Sequence, residues 1–301
     1  MIDPNLIRQI YMWSTDFISS ADGQQLAIHR SETIDKSKPH LHFGHATGFN
    51  ANTYRRLLEP LMAHANVWAW DMRGHGLSIT KDAEVSSWET YYQDMEALLD
   101  HISAPVILAG HSIGAVCAAI GAVRRPNQVI SLTLMDPVFI MGKEVWWMRL
   151  GALLKMSDRH FLAQSAAKRR GSFPSKDMAM RAYRGRGVFK SFPQLWIEDY
   201  LETGLVEAED GFYLACNPEF ESSSYARTEL WARRILRRIQ TPMEVIAAET
   251  DSTMNKGSER VFKRTQPNAR FERIEGTSHM LVMERPQMIE QRLRDAIKAS
   301  K

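Results

Sequence analysis

The chain has 301 residues, of which 44% are hydrophobic and 24% are charged. This is an ordinary globular composition, and it excludes collagen-like, low-complexity and wholly disordered classes. The length allows one large α/β domain or two small ones, with a sizeable core. There are 38 Lys and Arg residues against 35 Asp and Glu, and the net charge of +3 does not by itself indicate a nucleic-acid partner.

Two features of the chain bear on its compartment. Cys117 and Cys216 lie far apart in a long chain, so we expect no disulfide framework and a reducing environment. The opening MIDPNLIRQI lacks the basic and continuous apolar regions of a signal peptide. No apolar run approaches the roughly 18 residues that a membrane helix needs. We therefore expect a cytoplasmic protein with no membrane span.

The first predicted element is a hairpin between Trp13 and Arg30, where Ala21-Asp22-Gly23 supplies the positive φ of a tight turn. Short apolar runs then alternate with helical patterns, as in a mostly parallel sheet with crossover helices on its faces. The predicted strands cover residues 41–46, 66–71, 104–110, 129–136, 243–248 and 270–276, and the predicted helices cover 88–102, 113–124, 226–239, 258–265 and 286–299.

Residues 139–225 interrupt this alternation with helical pieces rich in aromatic residues and Met. We interpret them as an inserted, mainly helical cap on a core domain formed by residues 1–138 and 226–301. Residues 143–190 contain 12 Lys and Arg, whereas residues 191–221 contain 8 Asp and Glu and no Lys or Arg. The simpler interpretation is two solvated faces that attract one another; the alternative is a funnel for an anionic ligand.

The sequence Gly110-His111-Ser112-Ile113-Gly114 places a serine between two glycines, directly after an apolar strand and at the start of a helix. A strand-to-helix turn of this type holds the serine exposed, and the glycines let the strand and the helix approach. The helix N-terminus adds positive partial charge beside the hydroxyl. Ser112 is therefore the candidate nucleophile.

A serine nucleophile needs a base, and the base needs an orienting carboxylate. His279 follows the predicted strand at 270–276 and is the candidate base. Asp251 follows the strand at 243–248, which gives the chain order serine, acid, histidine, and is our choice for the acid. Asp136 also ends a strand and is the alternative acid, although capping of its turn explains it more simply.

At this point the sequence resembles the α/β-hydrolase fold superfamily, over nearly the whole chain outside the cap. Five segments match in order, namely Gly44-His45-Ala46-Thr47-Gly48-Phe49, the segment Asp71 to Ser78, the serine turn, Ala248-Glu249-Thr250-Asp251, and Gly276-Thr277-Ser278-His279. The resemblance implies an oxyanion hole formed by the backbone N–H groups of Thr47 and Ile113. Ala46 stands where the family usually has glycine, which requires a negative φ at that position.

These residues together predict a serine hydrolase of the carboxylesterase type, which cleaves an ester or related acyl bond through an acyl-Ser112 intermediate. Carbon–carbon bond hydrolases, lactonases and cofactor-free perhydrolases keep the same three residues and remain alternatives, as does a receptor-like binding protein on the same fold. We expect a small, mainly apolar substrate contacted by Trp147, Trp196 and Met280. The predicted protein is a monomer or homodimer that binds no nucleic acid.

Other candidate sites have simpler structural interpretations. His45, His75 and His111 lack metal-ligand spacing, so we assign no metal, and we predict no cofactor. Cys117 is predicted to be a small core residue. The arginines at 233, 234, 237 and 238 lie beside apolar residues in a pattern typical of an amphipathic surface helix, with a membrane or nucleic-acid patch as the alternative.

Overall fold

The computed structural model describes residues 13–154, 161–228 and 230–300. Its strands are β1 (Trp13–Ser19), β2 (Gln25–Ser31), β3 (His40–Gly44), β4 (Asn66–Trp70), β5 (Val106–His111), β6 (Val129–Met135), β7 (Ser172–Phe173), β8 (Leu205–Ala208), β9 (Gly211–Leu214), β10 (Met243–Ala248) and β11 (Arg270–Ile274). Within the described ranges, the main sheet has eight strands in the order β1-β2-β4-β3-β5-β6-β10-β11.

The first two strands form the predicted antiparallel hairpin, which turns at Gly23 with φ 86°. Strand β2 pairs antiparallel with β4, and the remaining neighbours in the main sheet pair in parallel. The predicted mostly parallel α/β sheet is therefore confirmed, with the hairpin at one edge.

Helices cover both faces of this sheet. They are α1 (Arg55–Leu58), α2 (Glu89–Ile102), α3 (Ile113–Arg124), α4 (Glu144–Leu153), α5 (Phe161–Ala167), α6 (Lys176–Tyr183), α7 (Gln194–Gly204), α8 (Pro218–Ala226), α9 (Ala232–Leu236), α10 (Lys256–Thr265), α11 (Leu281–Glu284) and α12 (Pro286–Ala299). Short 3₁₀ turns span Ala51–Tyr54, Glu59–Ala63 and Gly187–Phe189. In the described part of the chain, no helix combines the length and the hydropathy needed to cross a bilayer.

Alternate residues of the central strands belong to two separate apolar cores. Along β5, Val106 and Leu108 lie in one cluster, and Ile107 and Ala109 lie in the other. Successive side chains of a strand point to opposite faces, so each cluster lies on one face of the sheet. Every residue of β5 is buried, which is why the sequence shows a continuous apolar run there instead of an alternating one.

The segment at 139–225 contains helices α4 to α8 together with a separate three-stranded antiparallel sheet in the order β7-β9-β8. The sequence does not predict this small sheet, because strands of two to four residues are too short to show a period. The helix expected at 226–239 is also shorter, since α8 ends at Ala226 and α9 covers Ala232–Leu236. Thr228 Oγ1 donates to the carbonyl of Tyr225 and closes the end of α8.

Three glycines allow β3, β5 and α3 to meet without side chains between them. A Cβ added to Gly114 would lie 2.2 Å from the carbonyl oxygen of Gly44, and one added to Gly110 would lie 2.4 Å from the carbonyl carbon of Gly114. Both distances fall well inside van der Waals contact, and both opposing atoms belong to the backbone. The glycines on either side of Ser112 are therefore required by close backbone approach, as the sequence predicts.

We expect Gly114→Ala to lower the free energy of unfolding by about 3 kcal/mol or to prevent folding, because overpacking against rigid backbone cannot be relieved by a rotamer change. Gly151→Ala is the matched control, since Gly151 lies in α4 with no atom within 4 Å of the added Cβ. That change should be neutral or stabilising by up to about 1 kcal/mol. Urea unfolding measures both, and equal stability of Gly114→Ala and the wild type would contradict the close-approach argument.

Candidate active site

Ser112 occupies the single residue between the end of β5 and the start of α3. Its backbone lies at φ 58° and ψ −118°, a conformation that costs a non-glycine residue on the order of 1 to 3 kcal/mol. Its N–H donates to the carbonyl of Met135 at 3.0 Å, which ties the turn to β6. The side chain is 6% exposed at the carboxyl edge of the sheet.

Ser112, His279 and Asp136 form a continuous chain of hydrogen bonds. His279 Nε2 lies 3.1 Å from Ser112 Oγ, and His279 Nδ1 lies 2.5 Å from Asp136 Oδ2. A carboxylate only accepts hydrogen bonds, so Nδ1 carries the proton and the lone pair of Nε2 faces the serine hydroxyl. This tautomer is the one that a base acting on Ser112 needs.

Asp136 stays ionised although it is buried. Burial alone raises the pKa of its carboxyl, but hydrogen bonds from His279 and Ser252 and from the Ala248 N–H bring that pKa below its usual value. The Ser252 hydroxyl donates at 2.6 Å, and the N–H groups of Ala248 and Thr253 donate at 3.1 Å each. The carboxylate is therefore fixed in orientation from three sides.

The choice of Asp251 as the carboxylate beside the histidine is wrong, because the structure places the alternative, Asp136, in that position. Asp251 is exposed and lines an outer cavity of about 600 Å³ with Glu249, Lys256 and Arg273. Asp136 directly follows β6, the strand beside β5, and the loop after β10 turns Asp251 outward. The loop after β10 instead supplies donors to Asp136.

His111 is a positioning residue that the sequence analysis missed. Its Nε2 donates to the backbone carbonyl of His279 at 2.8 Å, and its Nδ1 accepts from the Tyr54 hydroxyl at 2.8 Å. Burial lowers the pKa of His111 to about 3, so the ring stays neutral and keeps one donor and one acceptor. The only sequence signal was a polar residue at the buried end of a strand, inside the serine motif.

The predicted oxyanion loop follows β3 and turns sharply at Gly48. Phe49 N–H donates to the carbonyl of Ala46 at 3.1 Å, and Gly48 has φ 78°, which is the geometry of a type II turn. Ala46 is absent from the residues with positive φ, as the sequence requires. Gly44 pairs with Gly110 across β3 and β5, so Thr47 and Ile113 leave the sheet at the same edge. Ile113 opens α3, and its N–H has no partner within the helix.

The carboxylate of Asp71 fixes the chain that follows this loop. Its carboxylate accepts from the N–H groups of Ala51 and Leu77 at 2.8 Å and contacts His29 Nε2 at 3.0 Å. Burial alone raises the pKa of Asp71, but the His29 imidazole and the Ala51 N–H lower it to about 2. Asp71 therefore connects the start of the helical turn after the loop to the segment that follows β4.

Aromatic side chains join the oxyanion loop to the cap. The Phe49 ring lies 5.6 Å from that of Phe189, 5.9 Å from that of Phe192 and 5.7 Å from that of Tyr200. Trp196 and Met280 are buried in the same apolar cluster. The structure does not bring Trp147 into this group, because Trp147 lies on α4 with 74% of its surface exposed, and we do not retain it as a substrate contact.

The basic and acidic halves of the cap meet at a buried ion pair. Arg169 Nη1 lies 2.7 Å from Glu221 Oε2, and the guanidinium also contacts the hydroxyls of Tyr183 and Tyr200. A Cβ added to Gly48 would lie 2.4 Å from Glu221 Oε1. The pair therefore rests on the oxyanion loop, and here the attraction between the two halves is satisfied within the protein.

A comparison with models of protein families identifies the family of this chain. The model of the alpha/beta hydrolase family matches residues 42–292, which cover most of the chain and include Ser112, Asp136 and His279. The chain belongs to this family. The protein is thus an α/β hydrolase, and its central sheet with flanking helices is the architecture of that family.

Individual relatives of this hydrolase include two kinds of enzyme. Human monoglyceride lipase is 28% identical over 131 residues, a match that spans 42% of this chain and 43% of the lipase. The 3-oxoadipate enol-lactonase 2 of Acinetobacter baylyi is 22% identical over 272 residues, which span 90% of this chain and 93% of the lactonase. Among solved structures, E-2-(acetamidomethylene)succinate hydrolase superposes with a TM-score of 0.77 at 18% identity, over 95% of this chain and 100% of that chain.

We expect Asp71→Asn to lower the free energy of unfolding by about 2 to 3 kcal/mol near neutral pH, since one lowered pKa unit corresponds to about 1.4 kcal/mol. The folded-state pKa of Asp71 lies below its unfolded value, so this stabilisation is present above about pH 4 and is lost as the pH falls toward about 2. The gap between wild type and variant should therefore narrow on acidification. Asp251→Asn, at an exposed carboxylate, should change stability by at most about 0.5 kcal/mol. A gap that stays constant down to about pH 3 in urea unfolding would contradict this role of the ionised carboxylate.

Proposed function

We propose that the protein is a serine hydrolase that cleaves a carboxylic ester, or a related acyl bond, of a small and mainly apolar substrate. The observation that carries the proposal is the hydrogen-bonded chain Ser112–His279–Asp136 at the carboxyl edge of the sheet. Membership of the hydrolase family supports it, as do relatives named as a lipase and a lactonase. EC class 3.1.1 is the corresponding assignment.

The chemistry proceeds in two halves. His279 Nε2 removes the proton of Ser112 as Oγ attacks the acyl carbon, and the tetrahedral oxyanion collapses to an acyl-serine as His279 returns the proton to the leaving alcohol. Water, deprotonated by His279, then attacks the acyl carbon and releases the acid and free Ser112. Asp136 keeps the imidazole in the required tautomer and stabilises the imidazolium in both halves.

The oxyanion is assigned to the backbone N–H groups of Thr47 and Ile113. Support comes from their position at one sheet edge and from the first-turn location of Ile113, whose N–H is aligned with the helix dipole. A single donor of this kind contributes roughly 2.7 to 4 kcal/mol to lowering the barrier. The bonds around Ala46 and Gly48 fix the loop before substrate arrives, so little reorganisation accompanies the reaction.

The acyl or alkyl group of the substrate is assigned to the apolar side chains between the loop and the cap, among them Trp196, Met280 and Phe49. Met280 follows His279 directly, and Phe49 is the last residue of the oxyanion loop. Pockets of this type are mostly apolar with a few polar anchors. This placement favours an uncharged substrate body, since the nearby Arg169 is already paired with Glu221.

A lactone is the second candidate substrate. The relative whose match extends over 90% of this chain is an enol-lactonase. A lactone is a cyclic ester, so the same acyl-serine forms, but the leaving hydroxyl stays attached to the acyl group. A panel of p-nitrophenyl esters of increasing chain length and of simple lactones distinguishes the two by kcat/KM.

We expect Ser112→Ala to abolish labelling by a fluorophosphonate probe and to lower kcat on the best substrate of that panel by on the order of 10⁶, as loss of a serine nucleophile does in a protease. The fold should persist, because the hydroxyl contributes little packing. Circular dichroism and the melting temperature are the controls. Ester turnover by folded Ser112→Ala at the wild-type rate would end the acyl-enzyme proposal.

The acid is tested by a matched pair of variants. Asp136→Asn should lower kcat by on the order of 10⁴, because the amide favours the wrong histidine tautomer, as in a serine protease. Asp251→Asn makes the same chemical change at an exposed position and should leave kcat within about threefold, since it touches no part of the hydrogen-bonded chain. The reverse pattern, with activity lost only in Asp251→Asn, would show that the acid is Asp251, in the loop after β10.

A further inference from the structure

The outer face of α4 is apolar where a surface helix is usually polar. Side chains that are three, four and seven positions apart lie on one side of a helix. At 100° per residue, five exposed apolar residues fall within about 120° of arc. We name this face the α4 patch; its members are Trp146, Trp147, Leu150, Leu153 and Leu154, with Trp146 72% and Leu153 80% exposed.

The opposite side of α4 faces the protein, because Val145 is buried and Met148 is half-buried. The helix therefore has an inward face for packing and a second apolar face that the described chain does not cover. At about 200 Å² for a whole tryptophan, the exposed parts of Trp146 and Trp147 alone amount to roughly 300 Å². A contiguous apolar patch of a few hundred Å² is comparable with the largest patch on a typical monomer, and such patches often serve a function.

A basic surface adjoins the α4 patch. Arg149 lies 4.2 Å from the centre of the Trp231 ring and donates to the carbonyl of Leu230 at 2.9 Å, so α4 and the segment leading into α9 are in contact. Trp231 is itself 56% exposed. Helix α9 buries Ile235 and Leu236. The helix and the two residues after it expose four arginines, which we name the α9 arginines: Arg233, Arg234, Arg237 and Arg238.

We propose that the α4 patch and the α9 arginines dock the protein on the surface of an anionic lipid bilayer. Tryptophan and leucine insert at the boundary between headgroups and acyl chains, and neighbouring arginines attract anionic headgroups. The described part of the chain would lie on such a surface, since none of its helices has the length and hydropathy to cross a bilayer. The proposal is independent of the chemistry at Ser112.

Charge favours a lipid surface over a second copy of this chain. A two-fold symmetric contact through the α4 patch brings the adjoining arginines of both copies to one interface, where their like charges repel. An anionic bilayer would bury the same apolar side chains, and its headgroups would attract the arginines instead of repelling them.

The test is co-sedimentation of the purified full chain with large vesicles. One set contains equal parts of phosphatidylcholine and phosphatidylglycerol, and the other contains phosphatidylcholine alone. We expect wild type and Ser112→Ala to bind the anionic vesicles equally, and both to bind neutral vesicles at least tenfold more weakly, because the attraction between the arginines and the anionic headgroups is lost.

Two double variants separate the apolar and the electrostatic contributions. Trp146→Ser with Leu153→Ser should weaken binding to the anionic vesicles by at least about tenfold. Arg233→Gln with Arg234→Gln should weaken it by about 10- to 30-fold and leave binding to neutral vesicles unchanged. The matched control is Phe17→Ser with Ile79→Ser, which removes two exposed apolar side chains away from α4 and should bind as wild type does. Melting temperatures check that each variant is folded.

Three results would overturn the proposal. The first is absence of wild-type sedimentation with the anionic vesicles. The second is equal binding by the α4 variant and its control. The third is a wild-type dimer in sedimentation velocity that Trp146→Ser with Leu153→Ser dissociates while vesicle binding is unaffected, because that result assigns the α4 patch to a second copy.

Discussion

The close approach of three backbones at Gly44, Gly110 and Gly114 is the constraint on which the site depends. The strand before the oxyanion loop, the strand before Ser112 and the helix after it meet where no Cβ intervenes. Because they touch directly, the loop, the serine and the first N–H groups of α3 share one small region of space. A single methyl group at one of these glycines would push the backbones apart and separate Ser112 from the donors assigned to the oxyanion, even if the rest of the sheet were unchanged.

Directed polar contacts, more than apolar packing, fix the loops at this edge. Asp71, His45, His75 and His111 are buried, and each bonds backbone groups of loop residues. Burial lowers the pKa of His45 and His111 to about 3, so these rings stay neutral and serve as rigid donor–acceptor bridges. Such bonds specify an orientation that packing alone leaves free, and a buried group left without its partner would be costly. This is why so many histidines lie together in a protein whose proposed chemistry uses only His279.

The sequence predicted the sheet, the serine turn and the histidine, because each depends on local patterns: buried apolar runs, glycine spacing, and a residue at a strand end. The acid could not be assigned in this way, since Asp136 and Asp251 both follow strands and both precede His279. The path of the loop after β10 decides between them, since it directs Ser252 and Thr253 at Asp136 and leaves Asp251 exposed, and that path is a property of the folded chain. The division of the chain into a core and a cap stays a prediction, and the structure shows that residues 139–225 contribute no strand to the main sheet. The short strands of that segment and the outward direction of Trp147 depend on tertiary packing, which a single sequence does not show.

Backbone strain is concentrated where the proposed chemistry lies. Among the described residues, four non-glycine residues have positive φ, and three of them, Ser112, Asp136 and Asp251, follow the ends of β5, β6 and β10. Hydrogen bonds hold two of these turns in place: Ser112 N–H donates to Met135, and Asp136 N–H donates to Ile246. Each strand end thus supports its neighbour, and the loop containing Asp251 contributes by directing Ser252 and Thr253 at the Asp136 carboxylate. The role proposed for one carboxylate is in this way divided between two strands: β6 supplies the charge, and β10 with the loop after it supplies the donors that keep the carboxylate ionised and oriented toward His279.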